Sequence, residues 1–137
     1  MRRQVLGGGL IISALLPALA TTGLANPALA QQAVCESDKT DDMQRCASVQ
    51  LKASEQKLNA AYQQLLAVLR KKGMTDVLKS LQAAEQLWVR SREADCTLYK
   101  TAYSGGSLAQ LGYTNCLAAR GAQRTQQLQT YMEEFSR

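Results

Sequence analysis

The chain has 137 residues, with 16 Lys and Arg against 11 Asp and Glu, four Cys, one Trp, five Tyr, one Phe and no His. That length holds one domain, hardly two, and the missing histidine excludes Ser-His and Cys-His nucleophile pairs, His-ligated zinc and His acid–base chemistry. Hydrolases built on two carboxylates and binding modules that do no chemistry remain, and the formal charge of +5 suggests nucleic acid until processing is considered.

Residues 1–30 have the layout of a secretory signal peptide. Arg2 and Arg3 form a basic start, Val5 to Ala20 an apolar stretch broken by Gly7–Gly9 and Pro17, and Ala28-Leu29-Ala30 an A-x-A site before Gln31. Ala18-Leu19-Ala20 is the competing cleavage site. A membrane anchor fits less well, because the apolar stretch of about 16 residues is short of the ~20 that span a bilayer. Cys35 follows Gln32-Ala33-Val34, a poor lipobox, so a lipid anchor is disfavoured. Cleavage at Ala30 leaves residues 31–137, with 14 basic residues against 11 acids, a charge of +3. All four cysteines lie in that part, and an even count in a small exported chain reads as two disulfides. A four-thiolate metal site is the alternative, but the chain has no C-x-x-C pair.

The first helix is expected over 40–72. Thr40 is placed to cap it, and Asp41 and Asp42 complement the dipole of its first turn. Met43, Cys46, Ala47, Ala53, Leu58, Ala61, Tyr62, Leu65, Leu66 and Leu69 recur at helical spacing. Arg70, Lys71 and Lys72 fill the last turn, and Gly73 is the expected C′ residue.

A second helix starts after Thr75 and ends before Gly105-Gly106, burying Val77, Leu78, Leu81, Ala84, Trp88, Val89, Cys96 and Tyr99. Ser107-Leu108-Ala109-Gln110 fits a capping box. Gly112, Thr114 and Asn115 weaken the following turn, so the third helix is expected to settle only from about Thr114. It carries Leu117, Leu128, Tyr131, Met132 and Phe135. The fold class is therefore all-α: a small antiparallel bundle of three main helices with an N-terminal strap, stapled by two disulfides.

Short turns fix a register. Folding helices one and two about residues 73–74 makes facing residues sum to about 147, which pairs Leu69 with Leu78, Leu66 with Leu81, Leu58 with Val89 and Glu55 with Arg92. Folding helices two and three about Gly106 gives a sum of about 212, which pairs Cys96 with Cys116 and Trp88 with Arg124. Cys96–Cys116 is then the best disulfide, and Cys35–Cys46 follows by elimination. A Cys46–Cys96 link is offset by about five residues, roughly 7 Å along the axis, too far to bridge without sliding. Closing a loop of about 20 residues contributes roughly 3 kcal/mol on the chain-entropy account.

Glu55, Trp88, Arg92, Glu93 and Arg124 form a candidate polar cluster near the bundle middle, read first as a structural ion-pair network because buried charges persist only when paired. Glu85, opposite Tyr62, is a possible second carboxylate. Two acids on one helix without a cleft are no glycosidase signal. Trp88 reads as a core residue before a ligand platform, although Arg124 over its face would make a cation–π contact. The turn Tyr103-Ser104-Gly105-Gly106-Ser107 is either a plain connector or a rigid tip that enters a partner's cleft, held by the adjacent disulfide. It is not a P-loop, which needs a preceding strand and a Gly-Lys-Ser/Thr end. The charge of +3 and the lone basic run Arg70-Lys71-Lys72 argue against nucleic acid.

The ordered set Met43-x-x-Cys46-Ala47, Glu55-x-x-Leu58-Asn59-x-x-Tyr62, Trp88-x-x-x-Arg92-Glu93-x-x-Cys96, Gly105-Gly106-Ser107 and Cys116 with Arg124-x-x-x-Leu128 resembles the LprI-type lysozyme-inhibitor family. The resemblance covers about residues 35–130. The family usually has Asp at Glu55, Gln at Glu85, an aromatic at Ser91 and Thr at Gly121. It implies a small exported helical protein, periplasmic or secreted, which binds lysozyme or a related peptidoglycan hydrolase and blocks its cleft; with the signal peptide read over 1–30, the LprI-like helical domain is expected over 31–137. The sequence shows no coherent acid–base or metal set, so a non-enzymatic protein without cofactor or metal is expected. The rival expectation is a disulfide-stapled envelope module with another protein partner or a role in envelope stress. Neither reading includes nucleic acid or stable membrane insertion after cleavage.

Overall fold

The computed structural model describes Gln32 and residues 35–137. The expected signal peptide over 1–30 lies outside the described residues. Three long helices follow one another: α1 Thr40–Lys71, α2 Thr75–Ala102 and α3 Ser107–Ser136. No strand occurs among the described residues. Both expected disulfides form: Cys96–Cys116, set by the register, joins α2 to α3, and Cys35–Cys46, reached by elimination, ties the strap to α1.

The first turn is built as its sequence suggests. Gly73 takes a left-handed φ of 68° and donates to Arg70, while the Met74 N–H reaches the Leu69 carbonyl at 2.9 Å. This is a Schellman closure with glycine where a side chain would be strained. The second turn repeats the pattern with a different residue. Ser104 donates to Thr101 and Gly105 to Lys100, but the left-handed C′ position is occupied by Ser104, at φ 52°, followed by Gly105 at 78°.

Two caps differ from expectation. Lys39, not Thr40, is the N-cap of α1; Ser37 instead accepts from the Lys39 N–H and donates its hydroxyl to Asp42 at 2.8 Å. The third helix begins at Ser107 rather than near Thr114, so no capping box forms. Gly106 is its N-cap, and Gln110 donates forward to Thr114 at 3.2 Å. Continuation through Gly112 is explained by packing: Tyr99 of α2 lies against it so closely that a Cβ there would sit 2.9 Å from the ring. Burial against a neighbouring helix outweighs glycine's weak helix preference.

Helices α1 and α3 run parallel and pack most closely, α2 lies antiparallel against α3, and α1 touches α2 sparsely. Three hydrogen bonds between α1 and α3 fix their register: Gln44 to Ser107, Ser54 to Ala118 and Lys72 to Arg137, with separations of 63, 64 and 65 residues. Their seam carries small residues, Ala47, Ser54 and Ala61 on one side and Thr114 and Gly121 on the other, which let the backbones approach. Leu58, Leu65, Leu66, Leu69, Leu81 and Leu128 form the core at the 73–74 end, with Trp88 and Tyr62 packed on its margin. The expected packing of Leu58 on Val89 is corrected. Val89 is 54% exposed, because α2 diverges from α1 at that level and leaves an open cleft.

Candidate functional site

Two regions hold the sequence-predicted candidates: the cleft between α1 and α2, and the tip between α2 and α3. Arg92 of α2 reaches across the cleft floor. One of its terminal nitrogens donates both to Glu55 of α1 at 2.5 Å and to the Leu117 carbonyl of α3 at 2.7 Å. Its guanidinium carbon lies 5.2 Å from the Trp88 ring centroid, and its Nε is buried without a partner among the described residues. Arg124 of α3 approaches the same ring at 5.9 Å and donates twice to one oxygen of Glu85, its Nε at 2.8 Å. A further bond to Gln127 completes its set.

Both arginine side chains are 10% exposed, Glu85 14% and Glu55 40%. Two cations and two anions thus cancel, and the arginines are seated by ion pair, aromatic ring and carbonyl together, as buried charge requires. Of the expected cluster, Glu55, Trp88, Arg92 and Arg124 are brought together. Glu93 is not; it points to the opposite side, where it accepts from the Tyr113 hydroxyl at 2.5 Å. Glu85 takes its place. The reach of an arginine explains the exchange, since Arg124 extends about one turn beyond its facing residue Trp88.

Glu55, Leu58, Asn59 and Tyr62 line one wall of the cleft and Gln82, Glu85, Gln86, Trp88, Val89 and Arg92 the other, around a volume of about 470 Å³. The cleft escaped the sequence reading, although Glu85 facing Tyr62 was its trace. No group of three or more potential metal ligands exists among the described residues, and no described helix is long and apolar enough to cross a membrane.

At the tip, Tyr103, Ser104, Gly105, Gly106 and Ser107 are all exposed. The backbone N–H groups of Ser104, Gly105 and Gly106 are spent inside the turn, on Thr101, Lys100 and Tyr103. What the tip offers outward is therefore the two serine hydroxyls, the Tyr103 ring and the first-turn N–H groups of Ser107 and Leu108 at the start of α3. Lys100 is not free beside it, for its ammonium lies 3.6 Å from the Tyr113 ring centroid. The Glu93 carboxylate holds that phenol above its ordinary pKa, with burial acting in the same direction. Leu98, Tyr99, Tyr103 and Leu108 are exposed around the tip.

Residues 32–128 match the family model described as Lysozyme inhibitor LprI. The chain belongs to the LprI family. An uncharacterized protein of Rhizobium meliloti (strain 1021) is 29% identical over 101 residues, spanning 67% of this chain and 73% of its own length. The crystal structure of a DUF1311 family protein from Pseudomonas putida KT2440 is similar with a TM-score of 0.64 at 25% identity, covering 72% of this chain and 97% of that one. The LprI match spans the strap and its disulfide, α1, α2 and most of α3, so both turns and the α1–α2 cleft lie inside it.

Proposed function

We propose that this LprI family member is an exported, non-enzymatic protein that binds a lysozyme or related peptidoglycan hydrolase and blocks its cleft with the tip Tyr103–Ser107. The observation that carries the choice of surface is the left-handed pair Ser104 and Gly105. A serine in that conformation costs about 1–2 kcal/mol, and such strain collects at ligand-contacting sites. The equivalent position of the other turn has the relaxed choice, Gly73. Cys96–Cys116 lies just below the tip, and the exposed Leu98, Tyr99, Tyr103 and Leu108 are the kind of apolar and aromatic surface that docks on proteins.

Electrostatics favours short-range fit over steering. Animal lysozymes are basic, and a chain of charge +3 after loss of residues 1–30 slows rather than hastens their encounter. The hydrolase cleft is locally acidic, with two catalytic carboxylates, and serine hydroxyls are suited to donate to them. The same positive charge is what favours the second reading, an envelope module with a different, acidic protein partner. Titrating residues 31–137 into lysis assays with c-, g- and i-type lysozymes separates the two. Inhibition near equimolar ratio is expected, and none at micromolar excess against all three types rejects the inhibitor reading.

A further inference from the structure

We propose that the cleft between α1 and α2 is a second binding site, for a neutral oligosaccharide about two sugar rings long. It is separate from the tip: Arg92 and Tyr103 are eleven residues apart on α2 and its cap, roughly 16 Å at helical rise. The proposal therefore does not depend on the hydrolase reading.

Charge decides against an ionic ligand. Glu55 and Glu85 each commit one oxygen to an arginine, so the pairs are neutral as units and neither an anion nor a cation gains net attraction. Each carboxylate keeps its second oxygen without a hydrogen-bond partner among the described residues. Those oxygens are acceptors at two levels of the groove. The side chains of Asn59, Gln82 and Gln86 make no hydrogen bond to the described residues and supply both donors and acceptors. Hydroxyl groups, which also do both, match such a mixed lining.

Length decides against a single side chain. Glu55 is at the level of Arg92, seven residues along α2 from Glu85, so the two carboxylates are separated by about 10 Å. One ammonium or guanidinium cannot bridge that distance, whereas two linked pyranose rings span it. Between the polar ends lie Leu58, Trp88 and Val89, with Tyr62 at the Glu85 end, an apolar strip suited to the C–H face of a sugar. The volume of about 470 Å³ is in the range of small-ligand clefts.

The test is an NMR titration of the purified protein with N,N′-diacetylchitobiose, with cellobiose, and with a tetrapeptide containing Lys and Arg. Saturable shifts of the Trp88 indole N–H and of the Asn59, Gln82 and Gln86 amides are expected with at least one disaccharide. Response to diacetylchitobiose alone narrows the class to N-acetylated sugars. The double variant Asn59→Ala/Gln86→Ala, at two exposed positions, should keep the fold and weaken binding about tenfold, while Ser107→Trp leaves it unchanged. The proposal is overturned by the absence of saturable shifts, by shifts confined to residues 103–107, by undiminished binding to the double variant, or by binding of the peptide but neither sugar. Lysis inhibition is measured separately, so either reading can fail alone.

Discussion

The hydroxyl of Ser54 lies 2.6 Å from where a Cβ on Gly121 would sit, and donates to the Ala118 carbonyl one turn earlier on the same helix. At this point the Ser54 side chain of α1 lies directly against the α3 backbone, and Gly121 has no larger alternative without movement. Gly121→Ala should therefore destabilise the protein by about 1–2 kcal/mol, overpacking outweighing the ~1 kcal/mol of helix propensity gained. In a Ser54→Ala background the clash is gone, since the next atoms, a terminal nitrogen of Arg92 at 3.5 Å and the Ser54 Cβ at 3.8 Å, are at ordinary contact distance. There the same substitution should turn neutral or stabilising. Urea unfolding of the four proteins measures this sign change.

The arginine beneath Trp88 makes a second, sharper prediction. Arg124 and Glu85 are both mostly buried, so Glu85→Ala leaves a desolvated cation and should cost about 3–5 kcal/mol. Replacing both with methionine should recover most of that loss. Thermal unfolding of the single and double variants decides it; equal losses would mean that packing on the ring, not charge, holds this level of the bundle.

Helix positions and disulfides were legible because periodicity, the turn at Gly73 and the two cysteine spacings each constrain them independently. The register was too. Sums of about 147 and 212 together imply an offset of about 65 between the first and third helices, and the observed hydrogen bonds run at 63 to 65. What escaped was depth. Ser54 and Gly121 carry no hydrophobic signal, so the closeness of α1 and α3 was invisible, and with it the divergence of α2 that opens the cleft. Glu93 and Glu85 were exchanged for a related reason: spacing places a Cα, while a long guanidinium chooses among carboxylates a turn away. The third helix started early because Tyr99 buries Gly112, a tertiary effect that local propensity does not contain.

Tyr113 donates to Glu93, and its pKa is raised above the ordinary 10.0 chiefly by that bond and secondarily by burial. A raised folded-state value means that the contribution is complete below pH 10.0 and falls as the pH climbs from there through the folded-state pKa. Absorbance titration at alkaline pH should show Tyr113 titrating late. Glu93→Gln should lower the Tyr113 value towards the ordinary 10.0 and remove the extra alkaline loss of stability; an unchanged titration would show that the bond does not persist in solution.

Ser104 at φ 52° closes α2 where glycine is the relaxed choice. Ser104→Gly should raise stability by about 0.5–1 kcal/mol, read as a higher unfolding midpoint. If the tip is a contact surface, the same variant should bind its partner less tightly, because the turn loses both a hydroxyl and its rigidity.

Ser107→Trp, compared with the unaltered protein in the same lysozyme lysis titration, tests the tip most directly. Ser107 is exposed at the start of α3, so a bulky ring there should leave the unfolding midpoint unchanged while abolishing inhibition. Full potency in a correctly folded Ser107→Trp variant would contradict the assignment and move the inhibitory surface away from residues 103–107.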